Sequence, residues 1–243
     1  MLSWSYEFYR NKLSPSVGKY YGNLLVGINS KKKRIIIPGS GVEIKEMSQV
    51  FEAIMRDHPE FFWVNGYDGY RCLKSLAFSE IDIKFFFTDN EIKSMQREVD
   101  EWRFNVCSQI PSNAGEPAKI WMLYDYLSRQ VTYGFSELRY SQTIIGSMKK
   151  GLHMSVCEGI AKSFKYLCDY VGINCIVVGG HLMTADGGGP HAWNIVECGN
   201  KLYHIDITAE LERAKFYSKA DTKSFLKKSS EMTRYSWDRG IIC

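Results

Sequence analysis

Residues 190–207 carry the pattern that restricts this chain most. Two stretches that alternate between apolar and polar side chains, 190–197 and 202–207, meet at Gly199-Asn200. Alternation with a period of two marks strands that differ between their faces. A two-residue loop with Gly first favours a type II′ hairpin. That loop pairs Cys198 with Lys201 and therefore Trp193 with Asp206. His191, Trp193 and Ile195 then share a face with Leu202, His204 and Asp206, while Ala192, Asn194 and Val196 point the other way. His191 lies diagonal to Asp206 in this register, where a carboxylate can orient an imidazole. A three-residue loop would slip the pairing by one residue and send Asp206 to the opposite face.

The segment before the hairpin reads as a helix. Ser155, followed three residues later by Glu158, has the form of a capping box. Ile160, Ala161, Phe164, Leu167, Cys168 and Val171 recur at helical spacing, and Gly172 ends the run. Cys157 falls in the first turn, on the apolar stripe. Unpaired N–H groups and the positive end of the helix dipole favour an anion there, and so the thiolate form of a cysteine. A thiol, an imidazole and a carboxylate in this arrangement suit nucleophilic attack on an amide carbonyl, with the ring taking the thiol proton. The backbone N–H of Cys157 is placed to meet the oxyanion. Gln142, Trp193 and Asn194 are the side chains open as a second donor, and no choice among them follows from the sequence.

These segments resemble the transglutaminase-like superfamily of papain-related cysteine enzymes, and in particular bacterial transglutaminase-like domain proteins. The matching residues are Val-Cys-Glu-Gly-Ile-Ala from Val156, the helix through Tyr166 to Ile173, the strand Cys-Ile-Val-Val-Gly from Cys175, His-Ala-Trp-Asn from His191, and Tyr-His-Ile-Asp-Ile-Thr from Tyr203. The resemblance runs from about Trp121 to Thr208. It implies an α+β protein with a papain/transglutaminase-like core, in which a catalytic helix packs on an antiparallel sheet. It also implies Cys157 as nucleophile, His191 as base and Asp206 as the residue that orients the base. The implied substrate is a peptide or protein amide. Water as acceptor gives proteolysis or deamidation and an amine gives transamidation, and the motif does not select among them. The rival reading is a binding module that keeps the fold without turnover.

Other residues have plainer readings. Cys72, Cys107, Cys168, Cys175, Cys198 and Cys243 are expected to be small apolar side chains or surface thiols. His204, two residues before Asp206, is a competitor for a supporting role or an exposed residue. Gly187-Gly188-Gly189 before Pro190 is either a flexible rim of the cleft or simple punctuation.

Composition bounds the remaining classes. With 243 residues, 45% hydrophobic and 14% aromatic, the chain can bury a large core. Its 7 Cys and 5 His lack the spacing of a zinc finger or zincin, and no phosphate-binding glycine loop is present, so neither a metal nor a cofactor is expected. A net charge of +4 does not call for a nucleic-acid partner. The basic run Lys31-Lys32-Lys33-Arg34 is short and suits a solvated turn. No apolar stretch is long enough to span a membrane, and the start, Met-Leu-Ser-Trp-Ser-Tyr-Glu-Phe, lacks the form of a signal peptide. The odd cysteine count suits a reducing compartment, which makes the cytoplasm the default expectation.

Periodicity divides the chain into an N-terminal accessory α+β region, 1–112, and a catalytic core, 113–243. The first region is expected to hold helices at 20–28 and 42–58 and strands at 34–37, 61–64, 70–76 and 81–87. A long helix capped by Asp89 or Asn90 follows, with Ile92, Met95, Val99, Trp102, Val106 and Ile110 as its stripe. Residues 111–117 are rich in loop formers and mark the expected boundary, and a helix follows over 118–131. The stretch from Asp57 to Trp63 resembles the segment before the core in bacterial relatives.

Overall fold

The computed structural model describes residues 6–39, 43–75, 77–149 and 151–238. The fold is α+β, and the chain forms two compact units, Met1–Met95 and Gln96–Cys243.

In the first unit, alternation and helical spacing produce the elements they predict. Met47, Val50, Phe51 and Ile54 form the buried stripe of the helix Ile44–Asp57, whose start is closed by a Glu43/Glu46 capping box. The helix Tyr21–Asn29 buries Tyr21, Leu24 and Ile28. Arg34–Pro38, Phe78–Ile83 and Tyr70–Lys74 make a three-stranded antiparallel sheet with Phe78–Ile83 in the middle. Ile35, Ile37, Ile81 and Ile83 are buried on one face of this sheet, while Ile36 is exposed.

Three expectations change in this unit. Residues 61–64 are turns rather than a strand, with Val64 bridging Phe85. Phe61, Phe62, Trp63 and Val64 are all buried in succession. A strand with one solvated face cannot bury every residue in a row. The strand expected at 81–87 runs from Phe78 to Ile83 instead. The long helix Asp89–Cys107 is capped by Thr88, whose N–H and hydroxyl both donate to Glu91 Oε2, at 2.8 and 2.7 Å. Of the residues assigned to elements from the sequence, Val42 and Leu76 lie outside the described residues.

The expected break at residues 112 and 113 is not where the units divide. Val106 and Cys107 belong to the core of the second unit with Ile120, Leu123, Leu127, Phe164 and Leu167. Residues 111–117 therefore join two helices of one core, the end of Asp89–Cys107 and Glu116–Gln130. Loop-forming residues mark a turn, but the apolar stripe before them decides which core it joins.

The second unit is built on a four-stranded antiparallel sheet. Its order is Lys201–Ile205, Gly189–Cys198, Cys175–Leu182 and Tyr235–Trp237, here called the aspartate, histidine, inner and edge strands. The helix Cys157–Tyr170, the cysteine helix, packs on the histidine and inner strands and also on the helix Glu116–Gln130. Ala161 meets Val177 and Ala192 at the sheet. Asn194 Nδ2 donates to Ala161 O at 2.9 Å, which ties the helix to the histidine strand.

Candidate active site

The cysteine helix starts differently from its sequence signature. Val156 is the N-cap and offers no side-chain bond, and Cys157 is the first helical residue. Ser155 is buried in a two-residue parallel ladder, Met154–Ser155 with Thr132–Tyr133, and its hydroxyl donates to Ser141 O at 2.8 Å. The same carbonyl accepts from Val156 N at 3.0 Å. Glu158 pairs with Lys162 at 2.7 Å rather than closing a box. Tertiary contacts with the 136–143 segment thus replace the local cap. Gly159 makes this close approach possible, since a Cβ there would meet Ser155 Oγ at 2.2 Å and Ser141 O at 2.4 Å. The far end of the helix closes as expected, with Gly172 left-handed and Ile173 N–H reaching Cys168 O at 2.9 Å.

The hairpin has the expected register by a different turn. Cys198 pairs with Lys201 and Asn194 with Ile205. Gly199 and Asn200 both have φ of 58°, which defines type I′ rather than II′. Asn tolerates the left-handed conformation at the second position, so the loop keeps two residues and the faces do not change.

Two of the three expected residues, His191 and Asp206, are joined directly. His191 Nε2 and Asp206 Oδ2 lie 2.8 Å apart, with side chains only 8% and 3% exposed. Asp206 holds Nε2, and Cys157 lies near enough to contribute to the charge state of the ring. Burial by itself would lower the His191 pKa. The hydrogen bond to Asp206 and the charges of Asp206 and Cys157 outweigh it and raise the pKa from 6.5 to about 9. The ring therefore stays protonated through neutral pH, between a carboxylate and a sulfur.

Asp206 is fixed from several directions. Its Oδ2 accepts from Tyr235 O–H at 2.7 Å as well as facing His191, and its Oδ1 accepts from Ala209 N at 3.3 Å. Burial, together with the Asp206 charge, raises the Tyr235 pKa far above its usual value, so the hydroxyl remains a donor. Trp193 stacks on the His191 ring, with centroids 6.0 Å apart and planes at 19°. Tyr235 and Trp237 of the edge strand pack against Trp193 in turn.

His204 is neither exposed nor open to a substrate. It is 1% exposed and its Nδ1 accepts from Trp193 Nε1 at 2.9 Å. An indole N–H only donates, so Nδ1 carries no proton and Nε2 donates to Ser229 Oγ at 3.0 Å. Burial lowers the His204 pKa to about 4, consistent with a neutral ring.

This geometry sorts the oxyanion donors left open by the sequence. Trp193 Nε1 is engaged by His204. Asn194 Nδ2 is engaged by Ala161 O, Ile176 O and Cys175 Sγ. Gln142 differs: its backbone carbonyl accepts from Lys162 Nζ at 3.2 Å beside the cysteine helix, and its side-chain Oε1 is buried without a partner.

Sequence reasoning did not find Tyr235, which lies 29 residues beyond Asp206 on a three-residue edge strand. The signal was the Tyr-Ser-Trp alternation, too short to stand out. It also passed over Tyr133, which is half exposed; its pKa is raised by burial and by the charges of Cys157 and Asp206. Gly189 and Pro190 already belong to the histidine strand, paired with Leu182 and His181, so this part of the glycine run is sheet rather than rim. Cys107, Cys168, Cys175 and Cys198 are buried, as small apolar side chains are, and Cys72 is half-buried. Cys243 lies outside the described residues.

No protein-family model matches this chain, and a comparison with curated proteins also finds no match. Among solved structures, a TGase aligns with 57% of the chain at 12% identity and a TM-score of 0.40. A candidate cysteine protease from Cytophaga hutchinsonii aligns with 66% at 11% identity and a TM-score of 0.38. The alignments span 43% and 60% of those two proteins. No helix among the described residues is long and apolar enough to cross a membrane.

Proposed function

We propose that this chain is a transglutaminase-like cysteine enzyme, an acyl transferase or hydrolase of peptide or protein amides, with Cys157 as nucleophile, His191 as base and Asp206 as the orienting carboxylate. The observation that carries this reading is the buried contact of His191 Nε2 with Asp206 Oδ2 at 2.8 Å, with Cys157 close enough to act on the same ring. In the reaction, the sulfur attacks the amide carbonyl while His191 holds the thiol proton, which it then delivers to the departing amine. Asp206 keeps the ring turned toward the sulfur and stabilises its positive charge. The N–H of Cys157, at the first turn of its helix, faces the developing oxyanion. We assign the second donor to the Gln142 amide, since Trp193 and Asn194 are committed elsewhere. Water or an amine then resolves the thioester to acid or new amide.

The test is the rate of iodoacetamide modification at Cys157 against pH, followed by peptide mass spectrometry in wild type and in His191→Ala. Fast modification well below about pH 8.5, the free-thiol range, and its loss in the variant are the expected results. Slow modification with a free-thiol profile in both proteins would sink the activated-cysteine reading and leave the peptide-binding module in its place.

A further inference from the structure

We infer that a basic cavity beside Asp206 binds a carboxylate on the leaving-group side of the substrate, an inference that rests on the amide-acyl reading above. The cavity has a volume of about 240 Å³ and its lining includes Asp206, Tyr235, Lys223, Lys227 and Arg234. It therefore adjoins the triad at the end remote from Cys157.

The charges around it do not cancel. Asp206 faces a protonated His191 and accepts from Tyr235. Lys227 Nζ pairs with Glu231 Oε1 at 2.9 Å, and Glu231 Oε2 also accepts from Lys228 N at 2.8 Å. Lys223 and Arg234 remain, and among the described residues neither has a carboxylate within ion-pair distance. Ser224 and Thr233 also line the cavity. Lys223, Arg234, Ser224 and Thr233 carry between them an ammonium, a guanidinium and two hydroxyls, a donor set suited to a carboxylate.

The side of the substrate follows from the chemistry. His191 hands its proton to the departing amine, so the leaving group lies over the ring. Asp206 is bonded to the ring and lines the cavity, so chain that continues past the departing nitrogen is the part directed toward it. For a backbone amide, whose departing amine carries the rest of the chain, a carboxylate one or more residues after it, from an acidic side chain or from a chain terminus, is the group that fits.

The experiment is titration calorimetry on the full chain carrying Cys157→Ala, which binds without turnover. Three amidated peptides are compared around one central Ala, whose backbone amide is the reacting group: Glu on its C-terminal side, Gln in those places, and Glu on its N-terminal side. A fourth peptide replaces the C-terminal Glu with a free terminal carboxylate and separates the two sources. The expected result is binding about tenfold tighter for the C-terminal carboxylate than for its amide counterpart. That preference weakens at high salt and disappears in the Lys223→Gln/Arg234→Gln variant, which circular dichroism shows to be folded. Equal binding of acid and amide peptides, a preference for the N-terminal Glu, or a preference that survives the double substitution overturns this assignment alone. No binding by any peptide overturns it together with the peptide-amide reading.

Discussion

The state of His191 depends on a balance between burial, which opposes its charge, and two anionic neighbours, which favour it. The two effects have opposite signs, so removing the carboxylate shifts the balance toward the neutral ring, with Cys157 alone left to oppose burial. In Asp206→Asn, NMR titration of the ring is expected to show the His191 pKa falling from about 9 toward the ordinary 6.5. An amide there also stops fixing the protonated nitrogen, so turnover should drop by about 10³-fold or more. Tyr235 acts on the same oxygen from the other side. Tyr235→Phe leaves that oxygen with one donor fewer and more negative charge for the ring. The His191 titration should therefore move above about 9, and urea unfolding should show a loss of about 1–3 kcal/mol. A Tyr235→Phe titration identical to wild type would remove Tyr235 from the positioning of the site.

The start of the cysteine helix shows how an element can be legible while its mechanism is not. The apolar stripe from Ile160 to Val171 located it, but the signature at Ser155 and Glu158 implied a local cap that the fold does not use. Ser141 O takes both the Ser155 hydroxyl and the Val156 N–H instead. Gly159 sits where this contact is tightest. Alanine is the better helix former by about 1 kcal/mol, yet two polar neighbours, one of them backbone, stand within 2.4 Å of the new carbon. Gly159→Ala should therefore destabilise, by about 1–3 kcal/mol, and should slow Cys157 alkylation by displacing the first turn. Unchanged stability in urea would mean that the 136–143 segment yields freely. The hairpin gives the converse case. Its turn type differed from expectation, but any two-residue loop gives the same pairing, so the faces of His191, Trp193 and Asp206 stayed legible.

At the scale of the molecule, each unit carries its own polar anchor. In the first, buried Asp57 accepts from Tyr9 N, Arg10 N and Tyr21 O–H, each at 2.9 Å. Asp57→Ala would bury three donors without their acceptor, and unfolding should show a loss of at least about 3 kcal/mol. The pH profile of Cys157 alkylation in the folded variant should not move, because Cys157, His191, Asp206 and Tyr235 all lie in residues 96–243. A shifted profile would show that the first unit tunes the site.

The sequence alone determined what rests on local periodicity. It located the helix bearing Cys157, the hairpin bearing His191 and Asp206, their order, and the register that joins ring to carboxylate. Such features follow from spacing along a few residues, and physical chemistry translates that spacing directly into faces. Only the tertiary structure decided what depends on segments distant in the chain. It brought Tyr235 to Asp206, buried His204 between Trp193 and Ser229, committed Asn194 to the helix, and drew Val106 into the second core. Those choices arise because a buried donor or acceptor must find a partner and an apolar stripe must find a core, and the nearest one in space need not be near in sequence.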